Sequence, residues 1–197
     1  GQIKHLTFYP VKSAAGINIP VATLTPRGLR VDGYADHEFV VVRAEAGADG
    51  RHAFLTQRDM RGRGDVPQGF STIARIKPRI VGGALQLTWD NEDAIAVPPA
   101  SAIGRDLPVT VWEHQSNAID QGDDIARWLS DHLGAQVRLV RAPDSFERSA
   151  KQNVFENGNT LLFQDGYPIH WFSAASIVEL SAIAGNNVPW QSFRPQI

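Results

Sequence analysis

Tyr9-Pro10-Val11-Lys12-Ser13 sets a lysine and a serine directly after the apolar run Ile3-Leu6-Phe8. A turn at the end of a strand there offers an ammonium, a hydroxyl and backbone N–H groups, the three donor types that a phosphate takes. At the other end of the chain, Phe193-Arg194-Pro195-Gln196 supplies a guanidinium, whose planar fork matches phosphate oxygens. Arg194 folded back beside Lys12 makes a phosphate site from two remote segments. A third element lies between them. Ser173 is placed to cap a helix over Ala174–Ala184, and the free N–H groups of its first turn are expected to point towards Asp165-Gly166-Tyr167. Spacing alone favours an ordinary cap at Ser173 and an ordinary turn at Asp165 over an anion site.

Other conspicuous side chains carry weaker patterns. His170, in Ile169-His170-Trp171, lacks a carboxylate partner nearby in sequence, and His5, His52, His114 and His132 have no metal-ligand spacing. Asp120-Gln121-Gly122-Asp123-Asp124 does not follow the calcium-loop pattern and reads as a turn and cap. Arg58 lies where it could steer an anion, although surface arginines usually have no such role, and Arg148 and Lys151 read as solvated charges. Trp89 and Trp112 fall on expected strands and Trp128 on a helix face, so all three read as core, while Trp171 and Trp190 suit a pocket wall.

Composition narrows the classes of function. The chain has 197 residues, 43% hydrophobic and 9% aromatic, enough for a sizeable core. Nineteen basic residues against 21 acidic ones leave a net charge of −2, so no global field favours nucleic acid and anion recognition must be local. No apolar run approaches the roughly 20 residues that span a bilayer, which excludes a membrane partner and suggests a soluble, cytoplasmic protein. With no cysteine, disulfides, zinc–thiolate sites, iron–sulfur clusters and a cysteine nucleophile are excluded within these residues.

The elements that position these groups follow from periodicity. Besides Ile3-Leu6-Phe8, the runs Ala22-Leu24, Phe39–Val42, Phe54-Leu55, Ile73-Ala74-Ile76 and Leu85-Leu87-Trp89 are short, apolar or alternating, and separated by Gly, Pro and Asp. They predict a small barrel or sandwich, with a hairpin loop over Ala44–His52 and a mobile loop at Gly62, Gly64, Pro67 and Gly69. After Val109-Val111-Trp112, Asp123 or Asp124 is expected to cap a helix carrying Ile125, Trp128, Leu129 and Leu133, which Gly134 stops. A strand over Val137–Val140 follows, then an exposed loop from Asp144 to Asn159. In the second helix Ile177, Leu180 and Ile183 line one face. The expected class is α+β, mostly β: a small N-terminal β-barrel over 1–120, then a helix-containing β-rich segment with two helices over 121–197.

In this order Tyr9-Pro10-Val11-Lys12-Ser13, Gly28-Leu29, Phe54-Leu55-Thr56-Gln57-Arg58, Trp128-Leu129-Ser130, Phe163–Ile169, Ser173–Ser176 and Phe193-Arg194-Pro195 resemble the MOSC proteins, which include amidoxime-reducing enzymes and the C-terminal domain of molybdenum cofactor sulfurases. The resemblance implies a MOSC N-terminal barrel and the start of a MOSC domain, and a molybdenum–pterin cofactor held by its phosphate. By position it assigns cofactor contacts to Lys12, Ser13, Gly166, Tyr167 and Arg194. It also implies an oxidoreductase acting on a small-molecule substrate, N-hydroxylated compounds among the candidates, with an electron-donor protein or domain.

Departures from the pattern matter. His37, in Asp36-His37 after an apparent insertion over Val31–Ala35, stands where the family has arginine, which implies weaker and pH-dependent phosphate affinity. Gln196 replaces the asparagine of the family's FRPN. The metal-binding cysteine of the family lies beyond that motif, so the chain reads as the N-terminal part of a longer enzyme, with no metal ligand of its own. The alternative is a non-enzymatic module for a phosphate ligand or a protein, with a sulfur-carrier or pyridoxal-phosphate-linked role implied by family association.

Overall fold

Short runs rich in Val, Ile and Phe between turn-forming Gly and Asp residues favour a pleated, half-buried backbone over helix. The computed structural model describes residues 2–58, 70–90, 93–99, 104–149 and 160–197. In chain order its strands are β1 (Thr7–Phe8), β2 (Ile17–Asn18), β3 (Thr23–Thr25), β4 (Gly28–Val31), β5 (Tyr34–Ala35), β6 (Phe39–Arg43), β7 (His52–Ala53), β8 (Ile76–Val81), β9 (Ala84–Trp89), β10 (Asp93–Ala96), β11 (Asp106–Val111), β12 (His114–Asp120) and β13 (Val137–Arg141). Two α-helices, α1 (Asp123–Leu133) and α2 (Ala174–Ala184), complete an α+β fold that is mostly β.

The main sheet has the order β6-β13-β12-β11-β7. It nearly closes on itself: β7 runs parallel to β11, and past β7 the bridge Val42↔Phe54 and the bond from Leu55 N–H to Val41 O (2.8 Å) return the chain to β6. Phe39 and Val41 pack on one face with Ile125, Leu129 and Leu133 of α1 and with Ile76 and Leu87 of the smaller β10-β9-β8 sheet. Val40 and Val42 pack on the opposite face with Val109, Val140, Phe146 and Phe163. Burial on both faces is why β6 is an unbroken apolar run rather than an alternating one. Because β13 pairs with both β12 and β6, the sheet continues across residue 120.

Several expectations need correction. The N-cap of α1 is Gly122 (φ 97°), with Asp123 and Asp124 inside the first turn, where their charges favour the helix N-terminus. Gly134 does stop it, in the left-handed region and bonded to Ser130 O at 2.9 Å. Ser71–Arg75 forms a 3₁₀ turn before β8, so Ile73 and Ala74 are not strand residues. Trp112 falls in the β11–β12 turn at φ 56°, not on a strand. The stretch from Asp144 is not uniformly exposed: Phe146 and Arg148 are buried, because one fills the sheet's inner face and the other bonds three carbonyls. No residue of α2 is buried, and Val178 and Ile183 are exposed by 70% and 77%. The glycine-containing loop at 62–69 and Lys151 lie outside the described residues. No helix among the described residues is long and apolar enough to cross a membrane.

Candidate functional site

A parallel bridge between Val11 and Phe39, with Lys12 N–H bonded to Phe39 O at 2.8 Å, lays the Tyr9–Ser13 segment across the start of β6. The end of the chain arrives on the other side of that segment, where Thr7 N–H donates to Gln196 O at 2.9 Å. Asp36, fully buried, ties the parts together. Its carboxylate accepts Tyr9 N–H at 2.8 Å and Gln196 Nε2 at 3.0 Å, and lies 2.5 Å from His37 Nδ1.

These contacts frame a cavity of about 610 Å³. Lys12, Ser13, His37, Gly166, Tyr167, Arg194 and Gln196 all line it, joined by Arg58, Asp165 and His170. Both ends of the chain therefore meet at one opening. The first turn of α2 does not: Ser173, Ala174 and Ala175 line a separate apolar cavity of about 700 Å³, with Trp171 and Trp190. The Ser173 hydroxyl makes no capping bond to α2. The expected pairing of that helix start with the 165–167 turn is thus corrected.

Within the cavity the donors differ in availability. Lys12, almost wholly buried, donates to Phe163 O at 2.8 Å and to Asp165 Oδ1 at 2.5 Å. Burial pushes its ammonium below the ordinary lysine range, and the Asp165 charge opposes that. The amide of Gln196 is committed to protein, with Oε1 accepting His170 N–H at 2.7 Å and Nε2 on Asp36. Arg194 stands 4.4 Å over the Tyr9 ring, and its Nη2 is buried with no hydrogen-bond partner among the described residues. Burial lowers its pKa, against the pull of Tyr9, Asp36 and Asp165. An arginine keeps its charge in proteins, so this is a buried cation with an unused donor. Such a group lacks an acceptor, a role that a water or an anion fills.

The backbone is strained here. Of the six described non-glycine residues at positive φ, Ser13 (67°), His37 (55°) and Arg194 (54°) line the cavity, and Trp112 (56°) bonds the lining residue Asp165 through its indole. Such conformations concentrate where a site demands them. Gly28, at φ 110°, shows a related constraint: a Cβ there would lie 2.8 Å from Pro168 O, so only glycine lets the 164–168 turn pack against β4.

Several contributors escaped the sequence reading. Asp165 was read as a turn residue, yet its carboxylate accepts Lys12 and also Trp112 Nε1 at 3.0 Å. Burial tends to raise its pKa, but Lys12 and the indole bring it down to about 2. Arg148 is not solvated. It donates to Leu162 O (3.0 Å), Asp165 O (3.3 Å) and Gln164 O, and so shapes the turn from beneath. Gln164 Nε2 bonds Arg27 O at 2.8 Å and Asp36 O at 3.0 Å. No local pattern marks these residues, because each partner lies far away in sequence.

A nearly closed β-barrel whose cleft is lined from segments 12–13, 164–170 and 192–196 defines the class: a small β-barrel domain. The model of the MOSC N-terminal beta barrel domain matches residues 1–136, and the chain belongs to that family. It is similar to mitochondrial amidoxime-reducing component 1 of Mus musculus, 27% identical over all of this chain and 55% of that protein. Mitochondrial amidoxime reducing component 2 of Rattus norvegicus is 24% identical over all of this chain and 56% of its own length. A molybdenum cofactor sulfurase of Drosophila grimshawi is 28% identical over 71% of this chain and 17% of that protein. The chain spans about half the length of its amidoxime-reducing relatives.

The donor chemistry of the cleft suits the phosphate end of a pterin cofactor: Arg194 brings a guanidinium whose Nη2 is unpartnered among the described residues, and Lys12 brings an ammonium that Asp165 holds in this structure. Among the described residues no group of three or more His, Asp or Glu side chains is placed to hold a metal.

Proposed function

We propose that this chain is the phosphate-gripping part of a molybdenum–pterin oxidoreductase, with reduction of N-hydroxylated compounds as the reaction of the full protein. The observation that carries the reading is Arg194, a guanidinium that lines the same cavity as Lys12 and whose buried Nη2 has no hydrogen-bond partner among the described residues. Arg194 would hold the phosphate, Lys12 would add charge from the cavity wall, and His37 would stand beside them on Asp36. When bound, the cofactor supplies the redox chemistry. The residues of this chain bind and orient it. The same proposal includes a small-molecule substrate, an electron-donor partner and a cytoplasmic setting.

The test is titration calorimetry with a pterin monophosphate and with inorganic phosphate. Arg194→Ala should weaken both by about 10- to 150-fold, equivalent to the roughly 1.5–3 kcal/mol of a charged hydrogen bond. Equal affinities for wild type and variant would remove the assignment.

A further inference from the structure

Lys12 is not free in this cavity. Its ammonium sits 2.5 Å from Asp165 Oδ1, and the two partners differ sharply in environment. The lysine side chain is 4% exposed, whereas the aspartate side chain is 56% exposed and borders the opening. A carboxylate therefore stands where a phosphate would meet Lys12. Two like charges on one ammonium in a partly desolvated cleft repel each other by several times their interaction in bulk water. One of them must give way.

The surroundings show which one can move. The backbone of the turn is held from below by Arg148 on the carbonyls of Gln164 and Asp165. The next residue, Gly166, has open space around its Cβ position. Trp112 Nε1, on the exposed side, also donates to Asp165 Oδ1, at 3.0 Å. The carboxylate can part from Lys12 and keep the indole and water as partners, while Lys12 retains Phe163 O at 2.8 Å. Among the described residues, no side chain bonds Arg194 Nη2 in the same way.

We propose that Asp165 is a built-in competitor for the anion: its carboxylate occupies Lys12 while the cavity is empty and yields that lysine to an incoming phosphate. This rests on the reading of the cavity as a phosphate site. The carboxylate keeps a buried cation paired in the free protein and sets how strongly an anion must bind to displace it. Its pKa of about 2 keeps it ionised across neutral pH, so ligand rather than pH drives the exchange.

The experiment measures inorganic phosphate binding to wild type, Asp165→Asn, Lys12→Met and the double variant, by calorimetry and by the rise in melting temperature with phosphate. Asp165→Asn should bind phosphate about tenfold more tightly or better, the lower end for a charge-assisted hydrogen bond. Its melting temperature should be lower without phosphate and rise further with it. The gain should vanish when Lys12→Met is added. Unchanged or weakened binding in Asp165→Asn overturns the competitor role, and an Asp165 that only braces the fold would give that result. Loss of phosphate binding in Arg194→Ala alongside it would leave the site itself standing. Should Asp165→Asn not fold, wild-type NMR decides: phosphate should shift the Trp112 indole N–H signal, identified by Trp112→Phe. An unmoved signal at saturation overturns the proposal.

Discussion

Replacing Asp36 by alanine tests whether a single carboxylate holds the two ends of the chain together. Asp36 is wholly buried, and so nearly are the donors it serves, Tyr9 at 3% exposure and Gln196 at 4%. Its oxygens receive Tyr9 N–H at 2.8 Å and Gln196 Nε2 at 3.0 Å. Alanine strands both donors away from water, and a hydrogen bond to a charged acceptor contributes about 1.5–3 kcal/mol. The expected destabilisation is therefore about 3–6 kcal/mol, a large share of the roughly 5–15 kcal/mol that holds a domain folded. Asp36→Asn keeps an oxygen for Tyr9 but turns an amide N–H₂ group towards Gln196 or His37, so about half that loss is expected. Urea unfolding followed by tryptophan fluorescence measures both variants, and phosphate titration of Asp36→Asn reports whether Arg194 still reaches the cavity. A loss below about 1 kcal/mol for Asp36→Ala, with phosphate affinity intact, would refute the claim that this residue joins the ends.

Gly28→Ala should destabilise by more than about 1 kcal/mol, since φ 110° and a Cβ at 2.8 Å from Pro168 O leave no relaxed position; an unchanged urea midpoint would contradict that packing. The Lys12–Asp165 pair gives a pH signature. The carboxyl is depressed to about 2 in the fold from an ordinary 3.8, so its stabilisation is complete above the higher value and is lost as pH falls towards the lower. The difference in urea midpoint between wild type and Asp165→Asn should be flat from about pH 8 to 5 and shrink between about pH 4 and 2. A difference that persists at about pH 2 would show that the pair is not the source.

Much of the fold was legible because local chemistry and tertiary demand agreed. Ile125, Leu129 and Leu133 recur at helical spacing and are buried under one face of the sheet, and Gly134 terminates α1 in the left-handed region. The apolar run Phe39–Val42 was legible as a strand, and the structure covers it on both faces. Misreadings arose where one residue type suits two roles. Gly122 displaced the aspartates as cap, since a left-handed entry favours glycine. Trp112 was expected on a strand; it sits in a turn instead, half-buried against the core, with its indole on Asp165.

By itself the sequence determined the donor inventory: a lysine and serine after the first strand, an arginine at residue 194, no cysteine and a net charge of only −2. Those follow from residue type and short-range order. Only the tertiary structure decided which donor is spent and which is open. Lys12 is matched by Asp165 across the fold, Gln196 is consumed by His170 and Asp36, and Arg194 Nη2 alone among these is buried without a partner in the described residues. The reason is that pairing and burial depend on neighbours brought together through space, and segments more than a hundred residues apart carry no local pattern that records their meeting.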